Sequence, residues 1–133
     1  RAVSRGDPAK VAALLRRGAD PEARDRQGFT CLMVAANRGD VRLMDTLLSG
    51  GCAVDTTSTV GGRWSGFTAL MAACCDSTGA VAPVIRLLAA GADPTRVDNV
   101  GRNAMDYALI SGFHETARHL RARGVRPGGE AST

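Results

Sequence analysis

Asp25-Arg-Gln-Gly-Phe-Thr-Cys-Leu-Met-Val-Ala-Ala36 occurs more than once in this chain, in altered form. Its Gly-Phe-Thr-x-Leu-Met centre returns in Gly66-Phe-Thr-Ala-Leu-Met-Ala-Ala73. Its Asp-x-x-Gly opening returns in Asp98-Asn-Val-Gly-Arg-Asn-Ala-Met-Asp-Tyr-Ala108. A second block recurs beside it. It reads Lys10-Val-Ala-Ala-Leu-Leu-Arg-Arg-Gly-Ala-Asp20, then Leu43-Met-Asp-Thr-Leu-Leu-Ser-Gly-Gly-Cys-Ala53. It returns as Pro83-Val-Ile-Arg-Leu-Leu-Ala-Ala-Gly-Ala-Asp93 and as Thr116-Ala-Arg-His-Leu-Arg-Ala-Arg-Gly124. The glycines Gly18, Gly51, Gly91 and Gly124 are spaced 33, 40 and 33 residues apart. Between the blocks a further glycine recurs at Gly6, Gly39, Gly79 and Gly112. Self-similarity at such a period marks a repeat architecture.

Each block has a physical reading. Asp-x-x-Gly builds a tight turn, the glycine taking a backbone conformation that other residues resist. Thr30 and Thr68 then cap a helix. Leu32, Ala35 and Ala36 fall on one face of it, and the small side chains allow a neighbouring repeat to come close. Gly39 breaks this first helix. Val41, Met44, Leu47 and Leu48 form an apolar stripe on a second, at i, i+3, i+6 and i+7. Gly51 ends that helix in the manner of a C-terminal glycine. Pro8 and Pro83 fall at second-helix starts, where a missing N–H costs nothing.

From residue 2 to about 126, these features resemble the ankyrin repeat, whose period is about 33 residues and whose marker is T-P-L-H-x-A. The resemblance implies an all-α solenoid of helix-turn-helix units joined by hairpin-like fingers, about four repeats in one domain over 1–127. The expected units are a partial repeat at 2–24, a second at 25–57, a third at 58–97 with insertions, and a C-terminal cap at 98–127. Residues 128–133 read as a disordered tail. The partial first repeat, and an N-terminus with neither Met nor a signal-peptide core, are expected of a piece of a longer protein.

The chain departs from the family pattern in several places. In the fourth unit Asn103 stands for the motif Thr, Asp106 for the His and Arg121 for the second Leu, giving the polar outer face that a capping repeat needs. Met33 and Met71 occupy the His position elsewhere. They read either as core gap-fillers or as an adaptable apolar surface. The third unit carries seven extra residues, five in the finger Thr57-Ser-Thr-Val-Gly-Gly-Arg-Trp-Ser65 and two in Asp76-Ser-Thr-Gly79. Trp64 there is either a partner anchor or a staple folded over Phe67 or Phe29.

The resemblance also implies a partner-binding groove built from turn tips and first-helix ends. The candidate positions are Arg24, Arg26, Gln27, Phe29, Met33, Asn37 and Arg38 in and beside the second unit. Arg63, Trp64, Ser65, Phe67, Met71, Cys75 and Asp76 represent the third, with Val97, Asn99, Val100, Arg102 and Ile110 around the fourth. Their mixture of Arg, aromatic and apolar groups suits an extended peptide with acidic and hydrophobic residues.

Composition narrows the alternatives. The net charge is +4, with 16 Arg and a single Lys, yet the arginines are scattered rather than massed in a nucleic-acid arm. Arg16, Arg17, Arg121 and Arg123 sit where helix C-termini are expected, complementing the dipole. No apolar run approaches the ~18 residues of a membrane span. Cys31, Cys52, Cys74 and Cys75 contain no C-x-x-C pair, so neither a zinc site nor a disulfide framework is expected, and reduced thiols point to the cytoplasm or nucleus. Arg5-Gly-Asp7 and Arg38-Gly-Asp40 spell an integrin-type tripeptide, but both fall in the helix-breaking phase of the repeat. His114 and His119 occupy second-helix positions rather than a catalytic pair. With no nucleophile elbow, phosphate loop or cofactor motif, the expectation is a non-catalytic module that binds another protein or peptide. The alternatives are a methyl-lysine or histone-tail reader using an aromatic cage and, less favoured, nucleic-acid binding through Arg.

Overall fold

A computed structural model describes residues 28–58, 66–75 and 79–127, together with Ala13, Arg17 and Gly18. The rest of the partial first repeat, the tip of the long finger and the 128–133 tail lie outside the described residues.

Among the described residues there are six α-helices and no strand. They form three pairs: α1 (Cys31–Arg38) with α2 (Val41–Ser49), α3 (Ala69–Cys74) with α4 (Ala82–Ala89), and α5 (Ala104–Ser111) with α6 (His114–Ala122). α3 packs against both α1 and α5, and α2 against α4. First helices thus make one row and second helices another behind it.

Local chemistry starts and stops each helix. The Thr30 hydroxyl accepts from the Met33 N–H at 3.4 Å, and Thr68 accepts from Met71 at 3.2 Å. In the fourth unit Asn103 does the same job. Its side chain accepts from the Asp106 N–H at 3.0 Å while Asp106 Oδ2 accepts from the Asn103 N–H at 2.9 Å, a reciprocal capping box. Asn for Thr therefore changes the residue but keeps the cap. Gly39 closes α1 in the left-handed conformation, φ 72°, and Asp40 then caps α2 by accepting from Leu43 N–H at 3.1 Å. The Arg38-Gly-Asp40 tripeptide is thereby a helix stop followed by a helix start.

The core runs continuously along the stack. All six residues of α3 are buried, with Leu32, Met33, Ala35 and Ala36 on one side and Ala104, Met105, Tyr107 and Ala108 on the other. Behind them α2 supplies Leu43, Met44 and Leu47, and α4 supplies Val84, Leu87 and Leu88. Each large apolar side chain removed from water contributes about 1.5–3 kcal/mol. Polar ties supplement this between repeats. Arg86 pairs with Asp45 at 2.8 Å, joining α4 to α2, and Asp55 accepts from the Asp93 N–H at 3.1 Å. The Arg86–Asp45 pair is half-exposed and contributes at most about 1 kcal/mol.

The fingers are clasped at their bases. The Ser58 N–H donates to the Phe67 carbonyl at 2.8 Å, and the Ser58 hydroxyl accepts from the Phe67 N–H at 3.0 Å. One finger also touches the next. Gly66 has φ +80°, and a methyl group there would lie 3.2 Å from Asn99 N and 3.3 Å from Asp98 Cα. Gly101 has a similar φ of +82° but open space around it. Alanine at either position incurs the left-handed penalty of about 1–2 kcal/mol. Only Gly66→Ala also pushes on the neighbouring finger. Urea unfolding is expected to show a larger stability loss for Gly66→Ala than for Gly101→Ala, whereas equal losses would mean that the fingers do not abut.

Candidate interaction surface

An aromatic file links the repeats where the fingers meet the first helices. Phe29 and Phe67 meet edge-on with centroids 6.1 Å apart, and Phe67 meets Tyr107 at 5.4 Å and 89°. Such edge-to-face pairs add about 0.5–1.5 kcal/mol beyond their buried area. The Tyr107 hydroxyl donates to Asp98 Oδ2, while Asp98 Oδ1 accepts from the N–H groups of Val100 and Arg102 at 3.0 and 2.9 Å. Burial, reinforced by the bond to Asp98, raises the Tyr107 phenol well above its ordinary range. Asp98 thus shapes the fourth finger from inside and fastens it to α5. The Arg102 guanidinium stands 6.0 Å from the Tyr107 ring centroid.

Several residues expected to meet a partner have other positions. Met33, Met71 and Phe67 are buried, at 2 %, 1 % and 5 % exposure, and their placement on a contact surface is corrected. Each repeat closes over the first-helix face of its neighbour, so the two methionines fill core. Phe67 is held between Phe29 and Tyr107. Phe29 itself is half-buried. The Asn37 amide is engaged within the fold, donating at 3.2 Å to both the Ala72 and Cys75 carbonyls. Those carbonyls belong to the C-terminal end of the next first helix, where orphan acceptors need partners. The half-buried Cys75 thiol bonds to Ser111 of the following repeat.

Of the expected contact residues, those that face outward lie mostly at the start and on the first helix of the fourth unit. Val97, closing the third unit, and Asn99, Val100 and Arg102 on the fourth finger are exposed, and Ile110 is exposed on α5. Arg38 is exposed at the end of α1. Arg24, Arg26, Gln27, Arg63, Trp64, Ser65 and Asp76 lie outside the described residues. Sequence reasoning passed over Tyr107, Asp98 and Leu109. Tyr107 takes the repeat position that Val34 and Ala72 fill elsewhere, so an aromatic at a small-residue position was the available signal for it.

The four cysteines are thiols rather than disulfides, and the described residues contain no His, Cys, Asp or Glu cluster able to hold a metal. Burial pushes the Cys75 thiol up to about 11, with the Ser111 bond partly offsetting it, and raises Cys74 further. A thiol whose folded pKa exceeds its unfolded value of about 8.5 stabilises the fold fully below that pH and loses the contribution as pH climbs. Tyr107 acts in the same sense. The melting temperature is therefore expected to hold to about pH 8.5 and fall toward pH 11, with Cys75→Ser removing part of the decline. A flat alkaline profile would contradict the buried placement.

Comparison with known proteins follows the same lines. A family profile for ankyrin repeats, in three copies, matches residues 1–98 and 43–129. The chain is 45% identical over 89 residues to "Zinc finger CCCH domain-containing protein 67" of Oryza sativa subsp. japonica, a match covering 66% of this chain and 14% of that protein. Ankyrin repeats are generally non-catalytic units that bind other proteins. Helix pairs stacked in register and a profile matched along nearly the whole length agree: this chain belongs to the ankyrin-repeat family.

Proposed function

We propose that this array is a protein-docking module whose contact surface is the fourth finger and the adjoining outer side of α5, and that it holds an extended peptide bearing acidic and apolar residues. The observation that carries this reading is the exposure of Val97, Val100 and Ile110, at 51 %, 56 % and 64 %, together with the exposed Arg102 on the same finger as Val100. Large apolar side chains left in water on a surface that also carries a cation resemble the anchors of an interface more than a solvated surface. The Asp98–Tyr107 tie gives them a rigid base, so little ordering entropy is lost on binding.

In this reading the module is a scaffold or recruiting arm within a longer intracellular protein, cytoplasmic or nuclear, and has no catalytic role of its own. The small share of the rice protein that is matched supports a module among other domains. A methyl-lysine cage has less support. Phe67 and Tyr107 are buried against one another rather than arranged around an open space.

Selection of displayed peptides against the chain tests the proposal. Selected peptides are expected to be rich in Asp, Glu and apolar residues. They should lose about tenfold or more in affinity, or about 1.4 kcal/mol, toward an Arg102→Ala, Ile110→Ala variant that melts like wild type. Peptides that bind both proteins equally would place the contact elsewhere.

A further inference from the structure

The repeat register pairs equivalent positions of successive units. On first helices Ala36 and Cys74, both fully buried, correspond to Leu109 in the fourth unit, 43 % exposed. On second helices Asp45 reaches forward to Arg86 of the next repeat at 2.8 Å. The counterparts of Asp45 are Ile85 and then Arg118. Leu48 and Leu88, half-buried and buried, correspond to the exposed Arg121. The last described unit therefore presents Leu109, Arg118 and Arg121, with Arg123 and Arg126 following in sequence. From His114 onward the described residues hold four arginines and one acidic residue, Glu115. Asp106, also in this repeat, is engaged in its capping box.

We propose that this end face is a second docking site, for a partner-protein segment with carboxylates around an apolar residue. It is separate from the finger surface proposed above and does not depend on it. Charge complementarity names the occupant. Inside the array a forward-facing carboxylate, Asp45, meets a backward-facing arginine, Arg86. At the end the forward residue is Arg118, so the charge is inverted and the incoming group is acidic. A second copy stacking head to tail would bring Ala13 of its first repeat, the counterpart of Thr46 and Arg86, to that place, and it is not a carboxylate. Nucleic-acid phosphates would satisfy the arginines but leave Leu109 unmatched.

Titrating the isotope-labelled chain with a short peptide of repeating Glu-Glu-Leu, observed by NMR, tests this. Amide shifts are expected to concentrate at Leu109, Arg118 and Arg121. Charge reversal by Arg118→Glu with Arg121→Glu is expected to weaken binding about tenfold or more, and added salt to weaken it in wild type. Substituting Gln for Glu in the peptide should abolish binding. Both arginines are exposed, and circular dichroism melts confirm that the variant remains folded. Four results would overturn the proposal: no binding, shifts confined to 97–102, equal binding by the reversed variant, or a uridine oligonucleotide binding this face more tightly than the peptide. The Arg102→Ala, Ile110→Ala variant, run in parallel, should leave these shifts in place, which separates the two surfaces.

Discussion

First helices α1, α3 and α5 lie side by side because the positions between them carry little side chain. Ala35, Ala73 and Ala108 recur at one register, and all are buried. The backbones can then approach, and the longer side chains at neighbouring positions, Leu32, Leu70 and Met105, interlock around them. A helix as short as α3, six residues, is marginal alone. It exists here because α1 covers one flank, α5 the other, and α4 lies behind. The units are stable only as a stack, as expected of a quasi-one-dimensional array.

Once that spacing is set, polar chemistry holds it. Asn37 reaches from one first helix to the terminal carbonyls of the next, and the Cys75 thiol continues the line to Ser111. On the finger side the file from Phe29 through Phe67 to Tyr107 ends on Asp98, which orders the last finger. Interior repeats therefore have their polar and aromatic groups largely engaged with each other. Apolar side chains and arginines remain outward in the last unit, where no described repeat covers them. The same constraint that builds the stack also sets which side chains stay in water.

Much of the fold was legible because its signals are local. A Thr before a helix, a Gly after it and an Asp in a turn act within four residues, and Thr30, Thr68, Gly39 and Gly101 behave as their spacing indicates. Asn103 looked like a departure only because the motif names a Thr, while the cap needs any short acceptor. The surface was less legible, since exposure depends on the neighbouring repeat. Met33 and Phe67 become core because another unit closes over them. Asn37 meets carbonyls 35 and 38 residues away, beyond any local pattern. Leu109 differs from Ala36 and Cys74 in being at the end of the described stack, a property of position rather than composition.

The close approach at the alanine register is also the most exposed point of the account. Ala73 sits fully buried in α3, the helix with neighbours on both flanks. Ala73→Leu inserts a branched side chain where the helices meet, and overpacking of this kind costs about 1–3 kcal/mol. Urea unfolding of Ala73→Leu beside wild type is the direct measurement. A midpoint lowered by that amount is the result the stack predicts. An unchanged or raised midpoint would mean that the first helices are not held in contact there.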